Sequence, residues 1–165
     1  MMEDLVKIDH SALKVNQLVI IILNLLAFIL NLPGLIVLVA VVMLAGTLSG
    51  VPGFGVVYHR LLKPAGWVKP DILWDNPEPH RFAQGLGGVF MAGASLALFF
   101  GAGVLGWSLV WLVTGLAALN AFGGFCAGCM VYYWLSRLHA PGFYKSPPDG
   151  AFPGVRPNTR VGKEG

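Results

Sequence analysis

Charged residues are absent from two long stretches of this chain, Val15–Gly50 and Phe82–Ser136, in which most side chains are apolar. A helix needs about 20 predominantly apolar residues to cross the roughly 30 Å hydrocarbon layer of a membrane. Each stretch is long enough for two such helices. The pattern therefore predicts four membrane-spanning helices.

Turn-forming residues divide both stretches. Pro and Gly in "NLPG" interrupt the first, and the glycines of "FGAGVLGW" interrupt the second, because these residues disfavour a continuous helix. The first two spans are short, so a hairpin that only just crosses the bilayer, or one that dips in and returns, fits them equally. The predicted fold class is an all-α membrane protein with four transmembrane helices arranged as two hairpins, with spans at residues 15–32, 33–50, 82–102 and 107–135.

The segments outside the spans have a different composition. Residues 51–81 mix apolar and charged side chains, which predicts an interfacial middle loop that lies on the membrane or caps the bundle. From Pro141 onward the chain is too rich in Pro and Gly to form a helix, so we predict an irregular tail. The predicted organisation is a transmembrane domain at 1–140 followed by a cytoplasmic tail at 141–165.

All 11 Lys and Arg residues lie before the first span, in the middle loop or after the last span. Four spans place these three regions on one face of the membrane, and the positive-inside rule assigns that face to the cytoplasm. We predict a multi-pass protein of the inner (plasma) membrane with both termini cytoplasmic. Because mixed charges precede the first span and its apolar run is long, we expect it to be retained and not cleaved as a signal peptide.

Composition supports a membrane protein and excludes several functions. The chain is 56% apolar and 12% charged, with a mean hydropathy of +0.70, unlike a soluble domain. The net charge of +3 follows from the topology and from contact with anionic lipid, so no nucleic-acid partner is needed to explain it. The sequence lacks a Gly-rich phosphate loop, a Ser-His-Asp order and paired intramembrane carboxylates, which excludes hydrolase, nucleotide-binding and proton-coupled transport functions.

The only two cysteines, Cys126 and Cys129, lie in "FCAGCMVYYW" near the end of the last predicted span. Counted at about 1.5 Å per residue from Trp107, Cys126 lies roughly 28 Å along the helix, at the cytoplasmic edge of the hydrocarbon layer. The cytoplasm is reducing, so the resting state expected there is a dithiol and any disulfide is transient or catalytic.

The backbone around the cysteines has two alternatives. If Gly123 and Gly124 break the helix, Cys126 lies near the start of a new helix, where free N–H groups and the helix dipole activate a thiol. If the helix is continuous, apolar surroundings make the thiols less reactive. The sequence fits both alternatives. A disulfide requires the backbone to bend, which Gly123, Gly124 and Gly128 allow.

Three roles are open for the pair. It can act in redox or sulfur transfer, it can pack as two small apolar side chains in a helix rich in Gly and Ala, or it can bind zinc. A zinc site needs four ligands, so His80, His139 or a second subunit would have to complete the set. The sequence by itself assigns no metal ion and no cofactor, a quinone included.

We take Cys126 and Cys129 as the candidate catalytic residues. Four further residues are candidates for supporting roles: Gly128, His80 as a proton donor or ligand, Arg81 as a lipid-phosphate contact, and Tyr133 on the face of the cysteines. Asn120 precedes Cys126 on a different helical face, so we do not expect it to act with the thiols. Four amides within the spans are expected to form hydrogen bonds across helices or to a freed backbone carbonyl: Asn24, Asn31, Gln84 and Asn120.

Three segments together resemble a family of small bacterial membrane proteins grouped as domain-of-unknown-function family 4395. They are "KVNQ" at 14–17, "PHRFAQGLGG" at 79–88 and "FCAGCMVY" at 125–132, and they bracket about residues 9–135. The resemblance implies a four-helix integral membrane protein, and it establishes no activity. The family pattern Cys-x-Gly-Cys is matched by Cys126, Gly128 and Cys129, and its Arg-Phe-Ala is matched by Arg81, Phe82 and Ala83.

The first functional hypothesis is a cytoplasm-facing pair of thiols that exchanges electrons or sulfur with a thioredoxin-like or sulfur-transfer protein. The alternative is a non-catalytic membrane subunit or scaffold that packs a partner, or a second copy of the chain, through small-residue helices. In both, the lipid bilayer surrounds the helices. Whether the protein is an enzyme is not specified by the sequence.

Overall fold

The computed structural model describes residues 5–148 and 152–157, which are mostly helical. Within these residues, two short strands precede the first and the fourth of six helices. The strands are β1 (Val6–Asp9) and β2 (Ile72–Asp75). The helices are α1 (His10–Ile29), α2 (Pro33–Ser49), α3 (Gly55–Val57), α4 (Pro77–Phe99), α5 (Gly103–Gly123) and α6 (Ala127–Arg137), with a π-helical turn at Tyr58–Leu62 after α3.

Helices α1, α4 and α5 are long and apolar enough to cross a membrane. Helix α2 is apolar but shorter, with 17 residues. Short turns join α1 to α2 and α4 to α5, while α4 packs against α2 and α5, and α1 packs against α5. Of the four predicted spans, three therefore have the length and composition of a transmembrane helix.

The interior of the bundle is formed mainly by apolar side chains from α1, α2, α4 and α5, here called the four long helices. Many large apolar side chains on the outside remain exposed, among them Leu48, Phe99 and Val104, as expected of a surface that meets hydrocarbon. The buried cluster consists of Ile20, Ala27, Ile36, Val39, Ala40, Met43, Phe54, Met91, Ala94, Val110 and Val113.

Side-chain amides link the helices, as predicted for two of the four. The Asn24 amide donates to the Thr114 hydroxyl at 2.9 Å, which joins α1 to α5. The Gln84 amide donates to the Met43 carbonyl at 3.0 Å, which joins α4 to α2. The prediction is wrong for Asn31, which is exposed in the turn after α1 with a φ of 48°.

The all-α prediction missed the pairing of β1 with β2. The strands are antiparallel, with Val6 opposite Asp75 and Asp9 opposite Ile72. Each strand has only four residues and pairs with a segment far away in the chain, so no local pattern announces it. The pairing holds the start of α1 beside the start of α4.

Helix α4 begins at Pro77, earlier than the predicted start at residue 82. Pro77 and Pro79 both lie in the first turn of α4. N–H groups in a first turn have no acceptor within the helix, so proline loses no hydrogen bond there. As a result, His80 is part of the helix.

The predicted span at 107–135 is not one helix. Helix α5 ends at Gly123, and Gly124 has a left-handed φ of 65°, a conformation that glycine adopts without strain. Helix α6 then begins at Ala127. Of the two alternatives left open by the sequence, the broken helix is the correct one.

The C-terminal tail has no helix within residues 141–148 and 152–157, as predicted, but it is attached to the break between α5 and α6. The Cys126 N–H donates to the Gly154 carbonyl at 2.7 Å, and the Arg156 N–H donates to the Gly124 carbonyl at 3.0 Å. The Arg156 guanidinium also pairs with Asp71. The parts of the predicted termini at 1–4, 149–151 and 158–165 lie outside the described residues.

Candidate functional site

Cys126 is the residue that caps the N-terminus of α6. The Cys129 N–H donates to the Cys126 Sγ at 3.2 Å, in the way that a polar side chain caps a helix. The two cysteines form a disulfide with their Cα atoms 5.2 Å apart, and both are buried. The bend at Gly124 allows this bond, because a disulfide needs a specific backbone geometry.

Gly128 lies in close contact with α4. A Cβ atom at this position would lie 2.6 Å from the Ala83 Cβ and 2.7 Å from the Ala83 Cα, which is too close for any side chain. Glycine therefore allows the start of α6 to lie directly on the first turns of α4. This contact brings Cys129 to His80.

His80 lies between the disulfide and a buried carboxylate. Its Nδ1 is 3.6 Å from the Cys129 Sγ, and its Nε2 is 2.9 Å from the Asp75 Oδ2. An ionised carboxylate only accepts hydrogen bonds, so the proton of a neutral imidazole lies on Nε2. The Nδ1 lone pair then faces the sulfur.

Asp75 is buried at the end of β2 and is ionised at neutral pH. Its Oδ1 accepts the Asn76 N–H at 2.8 Å, and the His10 Nε2 lies 3.2 Å from its Oδ2, at ion-pair distance but without hydrogen-bond geometry. Burial raises the pKa of the Asp75 carboxyl, but the imidazoles of His10 and His80 and the Asn76 N–H outweigh burial and hold that pKa well below its usual range.

Of three further candidates, Tyr133, Arg81 and His139, only Tyr133 lies beside the cysteines. Tyr133 is buried beside the site, its hydroxyl accepts from the Asn76 amide at 3.4 Å, and burial raises the pKa of its phenol to about 12. Arg81 instead donates to the Thr47 carbonyl from Nη2 at 3.0 Å and does not line the cavity at the cysteines. His139 is exposed and does not line that cavity either.

A cavity of about 250 Å³, here called the polar cavity, leads to the disulfide. It extends to the surface, because Lys14 and Arg156 in its wall are exposed. A reagent in water can therefore approach the sulfur atoms along it. Its polar and charged lining residues include His10, Lys14, Gln17, Asp75, His80, Asn120, Tyr133 and Arg156.

A second cavity of about 90 Å³, here called the apolar cavity, lies on the other side of Cys126 between α1, α4 and α5. Three residues, Gln17, Asn120 and Cys126, line both cavities. Asn120 thus lies near Cys126 although it precedes the helix break, because the break turns Cys126 back towards the end of α5. The apolar residues that line the apolar cavity include Ile20, Met43, Phe90, Leu112, Val113, Leu116 and Ala117.

Two sets of side chains have the composition of a metal site. The ligand atoms of His80, Cys126 and Cys129 lie within 4.8 Å of one another, as do those of His10, Asp75 and His80. The first set offers zinc three ligands only when the disulfide is reduced, because zinc binds thiolates. In the second set, both imidazole Nε2 atoms face the Asp75 carboxylate.

Sequence reasoning missed His10 and Asp75. The two residues are distant in the chain and meet only through the pairing of β1 with β2. One signal was available in the sequence. Asp75 and His80 both lie in "DNPEPH", a stretch rich in polar and ionisable residues at the edge of an apolar run. Ionisable groups at a membrane boundary are candidates for function.

No curated protein and no solved structure matches this chain. A family match covers residues 8–137, which is more than half of the chain and includes both cysteines, His80, Asp75 and His10. The description of that family is a domain of unknown function. The chain belongs to this family, DUF4395.

Proposed function

We propose that this protein is a membrane thiol–disulfide exchange protein whose Cys126–Cys129 pair alternates between a disulfide and a dithiol. One observation carries the proposal: the disulfide lies 3.6 Å from a histidine nitrogen whose ring is oriented by a buried carboxylate. A cysteine beside a suitably oriented imidazole has a group that accepts and returns its proton. A pair that only fills space in the bundle has no need of such a group.

Cys126 is the sulfur that a partner attacks, and Cys129 is the leaving group. Cys126 is 7% exposed and Cys129 is 3% exposed, and His80 lies within reach of Cys129. The partner thiol gives its proton to the His80 Nδ1 and its sulfur bonds to the Cys126 Sγ; the S–S bond breaks, and Cys129 leaves as a thiolate that takes this proton back from Nδ1. The second thiol of the partner then displaces Cys126, so the partner loses two electrons and two protons and the protein gains them.

The start of α6 stabilises the Cys126 thiolate that this exchange releases. The Cys129 N–H donates to the Cys126 Sγ, and the positive end of the helix dipole lies beside the same atom. Both favour a negatively charged sulfur, since hydrogen bonds to ionised groups are stronger than those between neutral groups. Cys126 is therefore a good leaving group in the second step.

We further infer that all four long helices are embedded in a membrane. Helix α2, with 17 residues, is about 26 Å long and crosses a bilayer that is thinned locally. The positions of Lys and Arg support a cytoplasmic location for both termini and for the polar cavity. The partner is then a cytoplasmic thioredoxin-like or sulfur-transfer protein.

Trapping of a mixed disulfide tests this function. Cys129→Ser leaves Cys126 as a single thiol that can attack the disulfide of an oxidised partner, the reverse of the exchange. The variant lacks the second thiol that would release this mixed disulfide, so Cys126 stays bonded to the partner when membranes are isolated from cells that express it. We expect a covalent adduct that a reductant releases, and no adduct with Cys126→Ser. Absence of an adduct on Cys126 when thiols are blocked rapidly would contradict the proposed exchange.

A non-catalytic scaffold is the second candidate. Gly103 and Gly115 of α5 face open space, where an added Cβ would meet nothing within 4 Å, and small residues often mark packed helix interfaces in membranes. A scaffold predicts that the double variant Cys126→Ser/Cys129→Ser binds the same proteins as wild type. Exchange predicts that this variant loses its covalent partner and its redox activity.

A further inference from the structure

Three groups that can bind one metal ion lie together where α6 meets α4. When the disulfide is reduced, Cys126 and Cys129 offer two thiolates, and the Nδ1 lone pair of His80 faces the Cys129 sulfur at 3.6 Å. The ligand atoms of these three residues lie within 4.8 Å of one another. Opening of the S–S bond therefore leaves two sulfur ligands and one nitrogen ligand in one place.

The distance between His80 and Cys129 matches that between two ligands of one zinc ion. Zinc lies about 2.3 Å from a thiolate sulfur and about 2.0–2.1 Å from an imidazole nitrogen. In a tetrahedral site, a sulfur ligand and a nitrogen ligand are therefore about 3.5 Å apart, and the corresponding distance here is 3.6 Å. Once the bond between the sulfurs is broken, they are free to move apart to the separation of about 3.8 Å that two thiolate ligands need.

Asp75 gives His80 the support that a metal-binding histidine needs. A histidine that binds a metal ion through one ring nitrogen almost always donates its other N–H to a carboxylate, a carbonyl or water, which fixes the tautomer and the orientation of the ring. The His80 Nε2 lies 2.9 Å from the Oδ2 of the buried Asp75 carboxylate. The nitrogen left for a metal ion is Nδ1, the one that faces the sulfur.

The start of α6 favours thiolates over thiols. The Cys129 N–H donates to the Cys126 Sγ at 3.2 Å, and the positive end of the helix dipole lies beside the same atom. Both cysteines are buried, and buried charges are costly unless they are paired or bind a metal ion. A divalent metal ion with two thiolates and a neutral imidazole has no net charge, so its binding removes this cost.

We propose that the reduced Cys126–Cys129 pair forms a zinc site together with His80. Zn²⁺ binds the two sulfurs and the His80 Nδ1, and the two thiol protons pass to water. Zinc takes four ligands, and the polar cavity, which reaches the surface, supplies water for the fourth position. Thiolate ligands select zinc over magnesium and calcium, which prefer oxygen. The proposal goes beyond thiol–disulfide exchange, because it requires a reducible disulfide and no partner protein.

The zinc site and the disulfide exclude each other. When a disulfide compound oxidises the bound thiolates, it gains two electrons, the Cys126–Cys129 bond forms, and Zn²⁺ is released. The two thiolates formed from the oxidant take up two protons, so charge and protons balance. Bound Zn²⁺ in turn occupies both sulfurs and the His80 Nδ1, which the exchange reaction needs. The redox state of the pair therefore determines whether the protein holds zinc.

Titration of the reduced full-length protein with Co²⁺ tests the site, because Co²⁺ in a tetrahedral thiolate site absorbs visible and near-ultraviolet light. The protein is purified without a histidine tag, held in lipid nanodiscs, reduced with a phosphine and freed of the reductant without exposure to air. We expect cobalt–thiolate absorption that saturates at equimolar Co²⁺ and disappears when Zn²⁺ is added. The oxidised protein should show no such absorption.

Variants of His80 and Asp75 separate this site from binding by two cysteines alone. Loss of a residue that orients a metal ligand typically costs about 10–100-fold in metal affinity. We expect a loss in this range for Asp75→Asn and a larger one for His80→Asn. His139→Asn is the matched control, because His139 is exposed and outside the polar cavity, and its affinity should equal that of wild type. Circular dichroism and re-formation of the disulfide on oxidation check the fold of each variant.

The outcomes distinguish the zinc site from the exchange function. A dithiol that forms on reduction but gives no cobalt–thiolate absorption would overturn the zinc site and leave exchange intact. Equal affinity in wild type and His80→Asn would also overturn it, since the cysteines would then bind the metal ion without the histidine. Trapping of a partner by Cys129→Ser is a separate measurement, so its failure would overturn exchange and leave the zinc site standing.

Discussion

In the proposed exchange, the chemistry of the cysteine pair depends on three side chains in a row, Asp75, His80 and Cys129. Asp75 orients the imidazole through Nε2 at 2.9 Å, and the opposite nitrogen, Nδ1, faces the sulfur at 3.6 Å. Without Asp75 the imidazole loses the group that orients it, and without His80 the Cys129 sulfur loses the nitrogen that faces it. Substitution of these residues should therefore change rates more than it changes the fold.

His80→Asn should slow reduction of the disulfide by a small dithiol at pH 7 by about 100-fold, since a positioned acid or base is typically worth 10²–10⁴-fold. The rate is measured by quenching with an alkylating agent and separating the reduced and oxidised forms by mass. His139→Asn is the control, because His139 is exposed and outside the polar cavity, and its rate should match that of wild type. Equal rates for the two variants would exclude His80 from proton transfer.

Asp75 makes the stability of the protein depend on pH. Its pKa is lower in the folded protein than the ordinary value, which is about 3.9 in unfolded chains. The ionised carboxylate therefore stabilises the fold above that ordinary value, and this contribution is lost as the pH falls through the folded-state pKa. Thermal unfolding in detergent should show that Asp75→Asn is less stable than wild type at pH 7 and that the difference shrinks towards pH 3. A difference that stays constant with pH would contradict this assignment.

At the scale of elements, the break between α5 and α6 places the cysteines at a helix start. Gly124 provides the left-handed residue that ends α5, and Gly128 lets α6 lie against α4. The tail covers the break through Gly154, whose φ is 84° and where an added Cβ would lie 2.8 Å from the Cys126 carbonyl oxygen. The tail therefore limits access to Cys126.

Gly154→Ala should displace the tail from Cys126 and raise the rate at which maleimide alkylates Cys126 in the reduced protein several-fold. Gly142→Ala is the matched control, because Gly142 also has a positive φ, 90°, and meets nothing within 4 Å. The two substitutions thus impose similar backbone strain, and only one lies against Cys126. An equal rise in both variants would mean that the alkylation rate reports loosening of the tail as a whole.

The elements differ in how far the sequence could predict them. The charge-free stretches predicted the long helices, because a helix in hydrocarbon tolerates few charges. The break at Gly124 appeared only as one of two alternatives, since Gly-Gly is compatible with a packed helix as well as with a helix end. The pairing of β1 with β2, and with it the approach of His10 to Asp75, depends on tertiary contacts that no local pattern encodes.

At the scale of the whole molecule, the positions of charged residues predict an orientation. The turns at residues 30–32 and 100–102 contain no Lys, Arg, Asp or Glu, whereas the opposite ends of the long helices are flanked by them. In a membrane, the end that holds the polar cavity should therefore face the cytoplasm.

Single cysteines in a Cys126→Ser/Cys129→Ser background test this orientation. Ala65→Cys lies in the exposed middle loop, and Ala102→Cys lies in the exposed turn between α4 and α5. A membrane-impermeant maleimide should label Ala102→Cys in intact cells and Ala65→Cys only after the membrane is opened. The reverse pattern would place the polar cavity outside the cell and exclude a cytoplasmic partner.

The central claim is that the Cys126–Cys129 bond opens and closes reversibly, and its redox state in native membranes tests this most directly. Membranes are equilibrated with buffers of graded dithiol-to-disulfide ratio, free thiols are alkylated, and the mass of the peptide that contains both cysteines is measured. We predict one reversible transition in which both cysteines gain the label together, at a ratio that shifts when Asp75 is replaced by Asn. A peptide that carries two labels, or none, in every buffer would contradict the claim.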